Sequence, residues 1–171
     1  MDDIMQKNPV LNAIVQRRSI RKYDQADVND DSINLILEAG RWAPSGLNNQ
    51  PWRFQVLRNK NILDEISQKT HYSQIIKDSP VCIAVFYHLP SGYNRDKDMM
   101  GLGAAIQNML LAIHSIGLGA VWLGEILNRK EEVQQVLGKN QDVELAAIIA
   151  VGHPAEQPSK ERKSLSALVI S

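Results

Sequence analysis

The sequence predicts an α+β fold, with one sheet covered by helices on both faces. Three observations lead there. Residues 81–87 and 143–151 are apolar without alternation, as strands buried on both faces are. Other stretches repeat apolar residues at helical spacing, and helix and strand signals interleave along the whole chain. No fixed-period repeat, low-complexity block or internal linker interrupts the chain, so residues 1–171 read as a single domain.

Each element has its own reason. Asn8-Pro9 supplies a cap and a first-turn proline, after which Val10, Leu11, Ile14 and Val15 line one side of a short helix. Residues 17–31 are polar and end in Asn29-Asp30-Asp31, a cap for a second helix carrying Ile33, Ile36, Leu37 and Gly40. Residues 43–51, Ala-Pro-Ser-Gly-Leu-Asn-Asn-Gln-Pro, form a loop by content. Residues 53–58 alternate about Phe54 and Val56 as a strand, and a helix follows near 61–69. A loop over 88–97 joins the strand at 81–87 to the strongest helix, 98–116. That helix carries Leu102, Ile106, Met109, Leu110 and Ile113 on one stripe. Its small residues Gly101, Gly103, Ala104 and Ala105 admit another backbone. Gly117 is a left-handed cap. A short strand at 120–123 comes next, then a helix to Leu137 with Asn128 and Glu131 as its capping pair and Gly138 as its stop. Residues 143–151 form a central strand, 153–164 an extended polar tail, and 165–170 a last apolar segment.

Composition excludes several functions. Lys+Arg and Asp+Glu are 19 each, so overall charge argues for neither nucleic acid nor an anionic membrane. Hydrophobic residues make up 44%, enough for a core. The lone Cys82 rules out an intramolecular disulfide and any four-thiolate site. The four histidines, His71, His88, His114 and His153, lack metal-ligand spacing; His114, on the long helix, reads as a packed or surface residue. The acidic, polar start is unlike a signal peptide, and the most apolar run is too short for a bilayer. The expectation is a cytoplasmic protein.

Chemistry gathers in two places. Arg17, Arg18, Arg21 and Lys22 lie within six residues around Ser19, and Lys160, Arg162 and Lys163 form a second cluster near the end. Arginine forks suit phosphate oxygens; solvated surface stretches are the alternative. Ser45, Asn48, Asn49 and Gln50 sit between two prolines before Trp52. Such groups can read the edge of a heteroaromatic ring, or bond their own turn. Gly101-Leu-Gly103 and Gly117-Leu-Gly119 lack the third glycine of a dinucleotide fingerprint. No nucleophile–base pair emerges from spacing, which favours chemistry carried by a bound cofactor.

Four segments in order resemble the FMN-dependent nitroreductase family, over nearly the whole chain. They are residues 17–23 (Arg-Arg-Ser-Ile-Arg-Lys-Tyr), 43–54 (Ala-Pro-Ser-Gly-Leu-Asn-Asn-Gln-Pro-Trp-Arg-Phe), 117–125 (Gly-Leu-Gly-Ala-Val-Trp-Leu-Gly-Glu), and Gly152-His153-Pro154 followed by Lys160, Arg162 and Leu165. The resemblance implies a mixed sheet flanked by helices in an intertwined homodimer with two FMN sites at its interface. By that resemblance Arg17, Arg18, Ser19 and Arg21 hold the phosphate, ribityl chain and pyrimidine side. Pro44, Ser45, Gly46 and Asn48 match the loop covering the flavin, with Pro44 to Gly46 reaching the partner's. Leu123, Gly124 and Glu125 match the segment whose backbone faces flavin N5. Lys160 and Arg162 grip the phosphate, and residues from about 153 to 171 extend onto the other subunit. The implied activity is a hydride relay, with ping-pong kinetics, from NADH or NADPH through FMN to a nitroaromatic, quinone or similar small acceptor. Alternatives within the resemblance are a reductive dehalogenase, a flavin-fragmenting enzyme, or a non-enzymatic flavin carrier. The chain departs from larger members at residues 71–74, His-Tyr-Ser-Gln, where those carry Asn and Lys against the flavin.

Overall fold

The computed structural model describes residues 2–159 and 161–170. Its strands are β1 (Trp52–Leu57), β2 (Val81–His88), β3 (Gly119–Leu123) and β4 (Val143–Gly152). They form one sheet in the order β1-β2-β4-β3. Every pairing between them is antiparallel, so the mixed sheet implied by the resemblance is corrected for the described residues. The only parallel contact there is an isolated bridge, Ser19 to Ala120.

The uninterrupted apolar runs are the two central strands, as their sequences require. Alternate residues of β2 and β4 feed two separate cores. Val81, Ile83 and Val85 with Ala147, Ile149 and Val151 face α3 (Asp30–Arg41) and α6 (Arg95–Ser115). Cys82, Ala84 and Phe86 with Leu145, Ile148 and Ala150 face α4 (Lys60–Ser67), α5 (Ser73–Asp78) and α7 (Lys130–Val136). Helices therefore cover both faces, as expected. Gly40 lets α3 lie against α6, since a Cβ there would stand 2.8 Å from Met109 Cγ.

Several boundaries have a visible cause. Asn8 Oδ1 accepts from the Val10 and Leu11 N–H groups at the start of α2 (Pro9–Gln16), which follows α1 (Asp2–Lys7). Asn29 caps α3, and Asn94 caps α6 three residues earlier than the apolar stripe indicates. Gly117 at φ 80° and Gly138 at φ 62° take the left-handed conformation that ends their helices. The expected Asn128 cap is a correction: Arg129 occupies that position, and the Asn128 amide reaches Glu125 instead. The α2 stripe also differs from a core face. Val10, Ile14 and Val15 all stay exposed, and no residue of α2 is buried. No helix among the described residues is long and apolar enough to cross a membrane.

Candidate functional site

The segment between α2 and α3 looks polar, yet Ile20 and Tyr23 are buried. Two glycines paired across β3 and β4, Gly119 and Gly152, make the room. A Cβ on Gly119 would stand 2.8 Å from Ile20, and one on Gly152 would stand 2.8 Å from Tyr23. The Tyr23 hydroxyl lies 2.6 Å from the Ile20 carbonyl and 3.1 Å from that of Ala150. The Ile20 N–H donates to the Ala120 carbonyl.

The tail then runs antiparallel along this segment. Tyr23 bridges to Pro154. The Ala155 N–H donates to the Lys22 carbonyl, and the Asp24 N–H to that of His153. Glu156 accepts from the Arg21 N–H at 2.6 Å. This short ladder joins the two ends of the sequence. Arg17 and Arg18 share one cavity of about 480 Å³ with Gln157, Pro158 and Ser159 of the tail, and with His114 from the last turn of α6. Arg162 is close enough that it, after burial and before Arg18, lowers the pKa of Arg17. Lys160 lies outside the described residues.

This cavity gathers arginines that no carboxylate among the described residues neutralises. Arg41, Arg58 and Arg95 each pair with carboxylates. Among the described residues Arg17, Arg18, Arg21 and Arg162 have no such partner. Arg18 donates to the Val15 and Arg17 carbonyls at the end of α2. Arg17 Nε is buried with no hydrogen-bond partner, although a buried donor left unmade costs about 1–3 kcal/mol. Unpaired cations and an orphaned donor around one cavity suit the binding of an anion.

The loop at 44–50 is held in an uncommon shape. Leu47, Asn48 and Gln50 have φ of 53°, 55° and 45°, each costing on the order of 1–2 kcal/mol in a residue with a Cβ. Ser45 Oγ accepts from the Gln50 N–H at 3.0 Å inside the loop, which leaves its O–H free to donate. Asn49 donates to the Ser91 carbonyl and to Asp98. Asp98 is buried in the first turn of α6. Besides Asn49 it accepts from the Tyr87 hydroxyl and the Tyr93 and Asn94 N–H groups. Burial pushes its pKa up, but these bonds together outweigh burial and hold the carboxyl below its usual range. Gly46 lies against Tyr93, where a Cβ would collide with the ring. Leu47 projects from the tip, 85% exposed.

The third segment ends β3. Leu123 is buried, whereas Gly124 is exposed with nothing within 4 Å of where its Cβ would be. The Glu125 carboxylate accepts from the Thr70 hydroxyl, the His71 N–H and Asn128. Chiefly through Thr70, it stays below the usual carboxylate range. Its side chain thus ties the 70–71 turn to the end of β3.

The structure brings Arg17, Arg18 and Arg162 together, with Ser19 and Arg21 on the same strip. It does not bring them to Pro44, Ser45, Gly46 and Asn48. Pro44 meets α6 at Gly101, while the arginines meet it at His114, about 20 Å further along the helix axis. Cys82 is buried and pushed up to about 12, chiefly by burial, and faces neither place. Sequence reading passed over Asp98 and Thr70, and set His114 aside as a packed or surface residue. A lone acid in a first helical turn, a histidine on a long helix and a threonine in a turn carry no pattern that separates them from ordinary surface residues.

The chain is also similar to known proteins. The chain is 47% identical to a Desulfovibrio desulfuricans protein classed as a nitroreductase and crystallised in complex with FMN; the TM-score is 0.94, covering 96% of this chain and 97% of that one. It is 37% identical to a Methanothermobacter thermautotrophicus protein classed as an NADH dehydrogenase/NAD(P)H nitroreductase, over 92% of this chain and 84% of the relative. It is 26% identical to the FMN reductase [NAD(P)H] of Bacillus subtilis, over 90% of this chain and 69% of that protein. The family model for nitroreductases matches residues 14–79 and 66–153, and the chain belongs to the nitroreductase family.

Proposed function

We propose that this chain is an FMN enzyme that takes a hydride from NADH or NADPH and passes it to a small conjugated acceptor such as a nitroaromatic or quinone. One observation carries the reading: unpaired arginines and the orphaned Arg17 Nε surround a single cavity. These residues fit a phosphate-bearing cofactor, because phosphate oxygens accept from guanidinium forks. FMN when bound supplies the hydride chemistry, being reduced by the nicotinamide and reoxidised by the acceptor.

The chain's own residues bind and orient. Arg17, Arg18 and Arg162, with Lys160, grip the phosphate, and Ser19 and Arg21 line the strip that leads from it along β3. The cation of Arg21 stabilises negative charge on a reduced ring. Leu123 packs into the core and fixes the end of β3, and Gly124 beside it has nothing within 4 Å of where a Cβ would be, so the backbone of Gly124 and Glu125 is proposed to face flavin N5. Pro44, Ser45, Gly46 and Asn48 cover the flavin of a second copy, since within one chain they lie too far from the arginines. A homodimer follows from this half-and-half arrangement. The exposed stripe of α2, the open Gly103, and the exposed Leu165, Leu168, Val169 and Ile170 are the apolar surface it would bury. Donor and acceptor use one pocket in turn, which gives ping-pong kinetics.

The test is an absorbance spectrum of the purified protein followed by anaerobic addition of NADH. A yellow protein that bleaches, and parallel double-reciprocal lines with an acceptor, are expected. A colourless protein that fails to bind added FMN overturns the reading. A monomer that holds FMN at full occupancy overturns the shared site.

A further inference from the structure

We propose that His114 belongs to the anion site, as a further donor that in its protonated form holds the cofactor phosphate and makes FMN binding stronger at lower pH. The proposal rests on the flavin reading above. His114 stands in the last turn of α6, where the helix carbonyl ends favour a cation. Its ring lines the same cavity as Arg17 and Arg18. No hydrogen bond or ion pair engages the ring among the described residues.

The surroundings decide the sign. Arg17 and Arg18 face the ring from the segment after α2. From α6 itself only the apolar Leu110 and Ile113 line the cavity beside it; Gly117, Leu118 and Ala120 are uncharged, and the tail presents Gln157 and Ser159. The Glu156 carboxylate is turned to the Arg21 N–H. With no anion present, burial first and then the two arginines hold the imidazole below its ordinary range. A phosphate among the arginines reverses both charge effects and accepts the ring N–H, so binding takes up a proton. The histidine's contribution is therefore complete at low pH. It is lost as pH rises through the imidazole's range in the complex.

The test uses the full chain stripped of flavin, with Kd read from quenching of flavin fluorescence between about pH 5.5 and 8.5. Riboflavin, which lacks the phosphate, is the control ligand. A charge-assisted hydrogen bond to phosphate is worth about tenfold in affinity. His114→Gln is expected to bind FMN about tenfold more weakly than the wild type at the acid end and equally well at the alkaline end. Riboflavin affinity should match the wild type throughout. His114→Lys, cationic over the whole range, should bind FMN more tightly than the wild type at the alkaline end. The second ionisation of the phosphate, near pH 6, works in the opposite direction but equally in all three proteins, so ratios between proteins are the readout. A ratio of wild type to His114→Gln that does not change with pH overturns the proposal, and so does an equal loss for riboflavin. Failure of the wild type to bind either flavin overturns the flavin reading, and this proposal with it.

Discussion

Replacing Asp98 by Asn removes one charge and changes almost no volume. Asp98 is 1% exposed, and its oxygens divide their work. One accepts from Asn49 at 2.7 Å. The other accepts from the Tyr87 hydroxyl, the Tyr93 N–H and the Asn94 N–H at 3.0, 3.0 and 3.1 Å. An asparagine can keep one oxygen. Keeping the three bonds turns its NH2 toward the NH2 of Asn49, donor against donor. Asn49 can flip, since its own oxygen is buried without a partner, but the flip gives up the bond to the Ser91 carbonyl. Either way one hydrogen bond is lost and those that remain lose the carboxylate's charge, a cost of about 2 kcal/mol. For a chain of this length that is a fall of about 4–8 °C in Tm. Urea and thermal unfolding at fixed protein and flavin concentration measure it. The pH dependence follows from the direction of the shift. The folded carboxyl lies below its usual range, so its contribution is present above the unfolded value of about 4 and is lost as pH falls through the folded value. The wild type's lead over Asp98→Asn should therefore narrow below about pH 4. Equal stability at neutral pH, or a gap as wide in acid as at neutrality, would refute the account of Asp98 as a charged hub.

Other substitutions probe the remaining parts. Arg17→Ala and Arg162→Ala should each weaken FMN binding by about tenfold or more with little change in riboflavin binding, by fluorescence titration; unchanged FMN Kd in both removes the shared phosphate site. Gly119→Val puts a branched side chain where Ile20 lies, and should cost about 1–3 kcal/mol in chemical denaturation and lower FMN affinity with it. If flavin binding survives intact, the 17–24 segment is not seated by that glycine. Leu47→Gly relieves a left-handed φ at an exposed tip, so stability should rise by up to about 1 kcal/mol despite the loss of a large side chain. A clear loss of stability would mean that Leu47 packs against something in the assembled protein.

The fold was legible wherever a single residue type or run decides the outcome. The apolar runs of β2 and β4 admit no exposed face, and Asn8, Asn29 and Gly117 do at the helix ends what their chemistry allows. Helix α5 was missed because Ser73–Asp78 is six residues, too few for a helical period to show. The pairing of residues 21–24 with 153–156 was missed for a different reason. It is a ladder of isolated bonds between polar stretches, with no alternation to announce it, and only Tyr23 and the two glycines carry its packing. The basic clusters were visible as residue types, but their sharing of one cavity depends on that ladder. Ser45 shows the converse: a hydroxyl in a loop of ligand-binding composition turns inward and bonds the Gln50 N–H. Residue type identified a polar loop and could not say which way each group points. The separation of the 44–48 loop from the arginines was equally invisible, because it is set by the length of α6.

The ladder that seats residues 17–24 against 153–156 also sets an order of events during synthesis. Arg17 leaves the ribosome 145 residues ahead of Arg162. The strand partners that fix the segment, β3 and β4, also follow it in the sequence. A nascent chain therefore carries a half-built cradle until β3, β4 and Arg162 have emerged. Cofactor capture then waits for Arg162, and cannot serve as a nucleus around which the earlier elements gather. The β2–β4 pair and its flanking helices must reach a stable arrangement on their own apolar burial. In cells starved of flavin, the expected species is a folded apoprotein awaiting its cofactor.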